Sequence, residues 1–300
     1  MRQILRLYFL LTILLYSCQQ TDQKQEAAGY TMKNYLDIIA YNEQMEKNYQ
    51  ATGKAIYPYI IEISKGHKKL IFVGTRHTRE ITQQADSIDH TFWRLGPQVA
   101  FNEGGQVTQT YASRDEAIRK NAETGQLKYL CDSLGIQMQN GDLDVATEVN
   151  ALFEKYGRAK VLLYLANERF FDLYVHNWID TTAGLEKTYQ KEFIEYLQND
   201  GVVLKEEEKP FSYIQKVYQD FFNQPLNIYA IPAEKFYFLS DGGELTEIGR
   251  SSKVVRDVHL LGKIEEAFKT YDRVFVVFGG AHAFVVEPAL HQIMEKQTTR

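Results

Sequence analysis

Three short apolar runs in this chain stop at residues of the same kind. Lys69-Leu70-Ile71-Phe72-Val73 leads into Gly74-Thr75-Arg76-His77, and Val274-Phe275-Val276-Val277-Phe278 leads into Gly279-Gly280-Ala281-His282. A third run, Val99-Ala100-Phe101, ends in Asn102-Glu103-Gly104-Gly105. Short runs rich in β-branched and aromatic residues, bounded by glycine, predict strands. In an open α/β sheet, ligands bind in the crevice at the carboxyl ends of the strands. Glycine there lets the backbone turn sharply and approach a ligand closely. Two imidazoles and a carboxylate delivered in this way predict one site assembled from distant parts of the chain.

The remaining pattern supplies the elements between these strands. Residues 57–63 and 69–73 are β-rich, and Ser64-Lys65-Gly66-His67 between them has hairpin spacing. A helix is expected over 80–95 and a strand over 98–102. Ser113 is placed to cap a helix running to Leu134, with Gly135 as its C-cap. Residues 136–139 read as a short strand before the turn Asn140-Gly141-Asp142. Residues 144–223 read as mostly helical, with Leu185, Tyr189, Phe193 and Leu197 recurring every four residues.

Within that stretch a helix is expected to run from Lys160 to Trp178, with Leu162, Leu165, Arg169 and Leu173 on one stripe. A cation on a buried face requires a carboxylate or an anionic ligand. Residues 227–230 are assigned to a further strand, and Gly242-Gly243 to a turn. The last long helix is expected over 252–270, with Val254, Val258, Leu261, Ile264 and Phe268 facing the core. Asp257 falls inside that apolar arc and Arg256 at its edge, so Asp257 is either paired locally with Lys253 or set beside a polar cavity. The fold class implied is α/β: a central mixed, largely parallel sheet flanked by helices, with a helical insertion, about 144–223, over the carboxyl ends of the strands.

The first residues belong to a different plan. Arg2 and Arg6 give a positive n-region, residues 7–15 form a short apolar core, and Leu15-Tyr16-Ser17-Cys18 resembles a bacterial lipobox. Residues 1–17 are therefore expected to be a lipoprotein signal peptide, and Cys18 the lipidation site. Several acyl chains, at about 0.8 kcal/mol per buried methylene, hold a protein on a membrane without a spanning helix. Residues 18–29 are polar and aperiodic, a tether, and 30–300 suffice for one large α/β domain. The expected location is the bacterial cell envelope, lipid-anchored at the outer membrane.

Charge and cysteine content narrow the function. The formal charge is −5, and loss of Arg2 and Arg6 makes it more negative, so no electrostatic basis exists for nucleic-acid binding. Two cysteines, one of them Cys18, exclude a disulfide framework and a thiolate metal cluster. Cys131, among Leu127, Tyr129 and Leu130, reads as a small core residue. There is no G-x-S-x-G elbow, P-loop or G-x-G-x-x-G.

His77, Glu103 and His282 form the principal candidate set. Together they supply three ligands for a divalent metal (Mn, Co or Zn) with a position left for water. Without metal, one histidine serves as general base with Glu103 orienting it or its substrate. Arg256 is the candidate for charge stabilisation. Thr75, Arg76, Arg169 and Asp257 are candidates for ligand binding, the arginines through paired hydrogen bonds to an oxyanion or carboxylate. The bland alternative for each arginine is a salt bridge with a near neighbour, Asp257 or Glu168. The run Phe170-Phe171-Asp172-Leu173-Tyr174 reads as core, with haem stacking as the alternative.

At these residues the chain resembles the TraB/PrgY/GumN/Tiki superfamily, whose fold is shared with erythromycin esterase-like and ChaN-like proteins. Gly74 with His77 and Gly279 with His282 match its two Gly-x-x-His motifs. Glu103 matches its glutamate after an early strand, and Arg256 with Asp257 its position in the helix before the second motif. The resemblance implies a His/Glu/His site that acts in some members as a metal-dependent peptidase and in others as an esterase without obvious metal; ChaN-like lipoproteins bind haem. The chain departs from the pattern at Arg76, a cation beside His77, in the insertion around Asn167-Glu168-Arg169-Phe170, and in the doubled glycine after Glu103. The function expected is an envelope-anchored hydrolase of amide or ester bonds in a small-molecule or peptide substrate. The alternative is a non-catalytic lipoprotein that binds haem or another small ligand.

Overall fold

The computed structural model describes residues 57–238, 240 and 243–297. The signal peptide, Cys18 and the tether lie outside the described residues, as does Gly242 of the expected glycine turn. Strands β1 (Tyr59–Lys65) and β2 (Lys68–Thr75) form the antiparallel hairpin, turning at Gly66 with φ 61°. Helix α1 (Gln83–Leu95), strand β3 (Val99–Asn102), helix α2 (Arg114–Leu134) and strand β4 (Gln137–Asn140) follow. Helices α3 (Val145–Tyr156) and α4 (Arg158–Ala166) open a long helical section that includes α5 (Phe211–Phe222). Helix α6 (Glu244–Ala267), strand β5 (Arg273–Gly279) and helix α7 (Gly280–Glu295) close the chain.

The sheet order is β1-β2-β5-β3-β4, parallel throughout except for the β1–β2 pair. Strand β5 is therefore inserted between β2 and β3, the strands that precede it. All residues of β3 are buried, as are all but the first of β5 and all but the first two of β2. That is why these strands read as unbroken apolar runs rather than as alternations. Strand β1, at the edge, alternates buried and exposed positions over Ile61–Ser64.

Helices cover both faces. Ile88, Phe92, Leu127 and Leu130 of α1 and α2 pack on Ile71, Val73, Ala100 and Phe275. Leu260, Leu261 and Ile264 of α6, with Ala283, Val286 and Leu290 of α7, pack on Phe72, Phe101, Val274 and Val276. Burying one such side chain contributes about 1.5–3 kcal/mol, and this apolar frame offsets the cost of the ionic groups at its upper edge. A separate core, built around Leu162, Phe170, Tyr189, Phe193 and Ile214, joins the helical section to the first turns of α6 through Leu245 and Ile248.

Several local expectations change. Helix α6 begins at Glu244, eight residues earlier than its apolar arc indicated, because Leu245 and Ile248 serve the helical core rather than the sheet. The helix through Arg169 ends at Val175, with a π turn at Asn167–Phe171. A second π turn, Gln190–Ile194, widens the helix that carries Tyr189, Phe193 and Leu197. A four-residue repeat outruns 3.6 residues per turn, and the wider π turn keeps all three buried on one side. Residues 227–230 form a turn, not a strand; Ile228 alone is buried, too little for a ladder. Cys131 is 1% exposed, and burial pushes its thiol up to about 12. It is a core residue.

Candidate functional site

The register of the sheet sets the site. Thr75 stands opposite Gly279, Asn102 opposite Val277 and Asn140 opposite Asn102. The four parallel strands thus end at one level, and the residues just beyond them meet: His77 after β2, Glu103 after β3, Asp142 after β4 and His282 after β5. Gly279 is glycine for a spatial reason. A Cβ there would lie 3.0 Å from Glu103 Oε2 and 3.2 Å from His77 Nε2.

Glu103 is the hub. Its Oε2 accepts the Gly279 backbone N–H at 2.6 Å, and its Oε1 accepts from Arg256 Nη2 at 2.6 Å. Gly279 is also the N-cap of α7, so the carboxylate sits where the helix dipole favours negative charge. Arg256 in turn holds Asp142 with two bonds, Nε to Oδ1 and Nη2 to Oδ2, both 2.7 Å. This bidentate pairing fixes the plane of the guanidinium. Burial pushes the Glu103 carboxyl up, but His282, Arg256, His77 and Lys253 together pull it well below the usual carboxylate range. Desolvation lowers Arg256, and its two carboxylates more than reverse that.

The two histidines are built alike. His77 Nδ1 hydrogen-bonds Glu123 Oε1, and His282 Nδ1 meets Asp257 Oδ1 at 2.5 Å. Both imidazoles turn Nε2 toward Glu103, 3.9 Å from Oε2 for His77 and 3.5 Å from Oε1 for His282. They differ in exposure: the His77 side chain is 62% exposed and His282 2%. The Glu123 hydrogen bond raises the His77 pKa, burial opposes this, and the Glu103 charge adds to the rise. Lys253 Nζ lies 3.5 Å from His282 Nε2 and 5.1 Å from the centre of the Phe238 ring.

Of the sequence candidates, His77, Glu103, Arg256, Asp257 and His282 come together. Asp257 is bound to His282 rather than to Lys253. Arg256 faces two carboxylates, which makes it the group that positions Glu103 rather than one presented to a substrate. Thr75 is buried and donates its hydroxyl to Phe278 O at 3.1 Å, tying β2 to β5. Arg76 is exposed, and its backbone N–H donates to Gln84 Oε1. Arg169 is taken up by Glu148 at 2.8 Å, and Glu148 also accepts Ser252 Oγ at 2.5 Å. This buried pair braces the helical section against α6 one turn before Arg256. Phe170 is wholly buried against Phe171, Tyr174, Tyr189 and Phe193, so its ring is spent in the core rather than offered to a haem.

Three members of the site were not singled out from the sequence. Asp142 follows β4 as Glu103 follows β3, a signal available in the turn Asn140-Gly141-Asp142. Lys253 was placed opposite Asp257 by four-residue spacing, and both residues instead face His282. Glu123 had no local signal. It reaches His77 because α2 breaks at Asn121 and Ala122, where Ala122 adopts φ 47°.

A divalent cation fits this donor set poorly. Both oxygens of Glu103 already accept strong hydrogen bonds, and two cations, Arg256 and Lys253, stand against the three would-be ligands. Among the described residues no group of three or more His, Cys, Asp or Glu side chains is spaced to hold a metal ion. The cations Arg256 and Lys253 already occupy the surroundings of Glu103 and His282.

Fold and site together define a three-layer α/β protein with two histidine–carboxylate pairs around an arginine-held glutamate, at the carboxyl ends of parallel strands. Comparison of the chain with protein-family models, curated proteins and solved structures finds no match. Among the described residues no helix is long and apolar enough to cross a membrane.

Proposed function

We propose that this chain is a hydrolase of ester or amide bonds that works with its own side chains, held at the bacterial envelope by a lipidated Cys18. The observation that carries this reading is the pair of imidazoles, each held at Nδ1 by a carboxylate and turned at Nε2 toward the same Glu103. A carboxylate on Nδ1 fixes the tautomer with Nε2 free to accept a proton and makes the ring a stronger base. The motif set that resembles the TraB/Tiki superfamily supports the same reading.

In this mechanism His77 Nε2, the more open of the two, takes a proton from water as its oxygen attacks the carbonyl carbon. The carbonyl π pair moves onto oxygen, and Lys253 holds the developing charge. As the oxyanion reforms the carbonyl, the C–O or C–N bond breaks and the leaving group takes the proton that His77 Nε2 gained from water. His77 is then neutral again, and His282 Nε2, 3.5 Å from Lys253 Nζ, holds that ammonium in place. Glu103, fixed by Arg256 and by the start of α7, stays ionised and stabilises positive charge on His77.

The test is steady-state hydrolysis of 4-nitrophenyl esters and aryl amides by the purified protein and by H77A, H282A and E103Q. Turnover that falls by about 100-fold or more in each variant, general acid–base groups contributing about 10²–10⁴, with each variant still folded at the assay temperature, supports the reading. Turnover that survives in both histidine variants overturns it. A non-catalytic binding role needs a cavity but not the two histidine–carboxylate pairs.

A further inference from the structure

Between the helical section and α6 lies a cavity of about 590 Å³. That is the size of a pocket for a small organic ligand. Its walls are largely apolar and aromatic, with Phe171, Val175, Ile231, Phe236, Tyr237 and Phe238 among them. Lys253 belongs both to this lining and to the His282 environment, so the cavity borders the site already described. The π turn Asn167–Phe171 contributes Asn167, Glu168 and Phe171 to the wall.

Charge in this wall is unbalanced at Glu168. Its Oε2 is buried without a hydrogen-bond partner, and the nearest cation, Arg169 Nε at 3.8 Å, is already bound to Glu148. One guanidinium thus stands against two carboxylates. Tyr164, also in the lining, lies near Glu168 and packs its hydroxyl end against Gly249. Gly249 precedes Lys253 by four residues on α6, about 6 Å along the helix axis. Asp172 adds a second carboxylate to the lining, paired with His176 at 3.2 Å. A carboxylate short of donors, set among aromatic rings, suits an ammonium group, which gains from both the charge and the ring faces.

We infer that this cavity receives an apolar, amine-bearing portion of the substrate, with the ammonium at Glu168 and the reacting carbonyl near Lys253. The position of the carbonyl rests on the hydrolase reading; the amine preference rests on the cavity alone. The substrates are then amphipathic amines of modest size, with the ammonium a few bonds from the ester or amide.

The experiment is calorimetric titration of the full chain with 2-phenylethylamine, 2-phenylethanol and 3-phenylpropionate. The expected order is amine tightest, by about tenfold over the alcohol, with the carboxylate weakest. E168Q is expected to bring amine and alcohol within about threefold of each other, and H77A to keep the wild-type order. An alcohol or carboxylate that binds wild type as tightly as the amine overturns the inference, as does a preference retained in E168Q. The wild-type order decides the question even if E168Q does not fold. A chain that shows the amine preference but hydrolyses nothing refutes the hydrolase reading and leaves this one standing.

Discussion

Arg256 and Glu103 lie 153 positions apart and meet at 2.6 Å, through an Nη2 that also donates to Asp142. The pair joins the helix that precedes β5 to the end of β3. It also fixes the carboxylate that both imidazoles face. Removing the cation leaves two nearly buried carboxylates opposed to each other. R256M is therefore expected to lose about 3–5 kcal/mol of stability, the range for breaking a buried pair from one side. Chemical denaturation measures this; a loss below about 1 kcal/mol contradicts the pairing.

Glu103 also predicts a pH dependence. Its folded pKa is held below the ordinary value of 4.5, so its contribution is complete above that pH. It is lost as pH falls through the folded value. Stability of the wild type should decline below about pH 4.5 more steeply than that of E103Q, which cannot titrate. Denaturation midpoints between pH 3 and 7 check the difference. Parallel curves would show that Glu103 is not ionised by its neighbours.

His77 titrates with the opposite sign. Glu123 raises its pKa above 6.5, and a base must be neutral to accept a proton, so activity should fall on the acid side of that raised value. E123Q removes the charge and keeps the size, which should move this acid limb to lower pH and reduce kcat. The pH profile of kcat/KM reads both effects. An unmoved limb would assign the proton transfer to another group.

Arg169 separates structure from chemistry. R169M leaves Glu148 buried without its cation and should destabilise the helical section by about 3–5 kcal/mol. At temperatures where the variant stays folded, kcat should remain within about threefold of wild type. A loss of kcat by a hundredfold without loss of stability would return Arg169 to the active site.

Gly279 tests the close approach at the hub. A methyl there would stand 3.0 Å from Glu103 Oε2 and 3.2 Å from His77 Nε2, while the backbone φ of −56° accepts alanine without strain. G279A should therefore fold with a change in melting temperature of only a few degrees and lose at least tenfold in kcat/KM. Wild-type kinetics in G279A would mean that the three groups do not work at this separation.

The centre of the sheet was legible because β2, β5 and β3 are buried on both faces and stand out as unbroken apolar runs, each closed by glycine or a polar turn. The same runs located His77, Glu103 and His282, since side chains just beyond parallel strands meet at one level. Asp257 was visible as a carboxylate inside an apolar arc, though its partner was not. The groups around them were less legible for physical reasons. Glu123 depends on a break in α2 at Ala122, and Lys253 on the direction in which one turn of α6 faces. The role of Arg169 was half legible: a cation on an apolar stripe demanded a carboxylate, and Glu148, 21 positions away, is the one it found. The start of α6 was missed because its first turns serve a second core with its own apolar positions.

The most direct test of the account is hydrolysis of a 4-nitrophenyl ester by the wild type, H77A and H282A, each purified in parallel and each confirmed as folded by its melting temperature. The account predicts measurable turnover in the wild type and a loss of about 100-fold or more in both variants. Equal turnover in all three, or none in the wild type across the ester and amide panel, would contradict it.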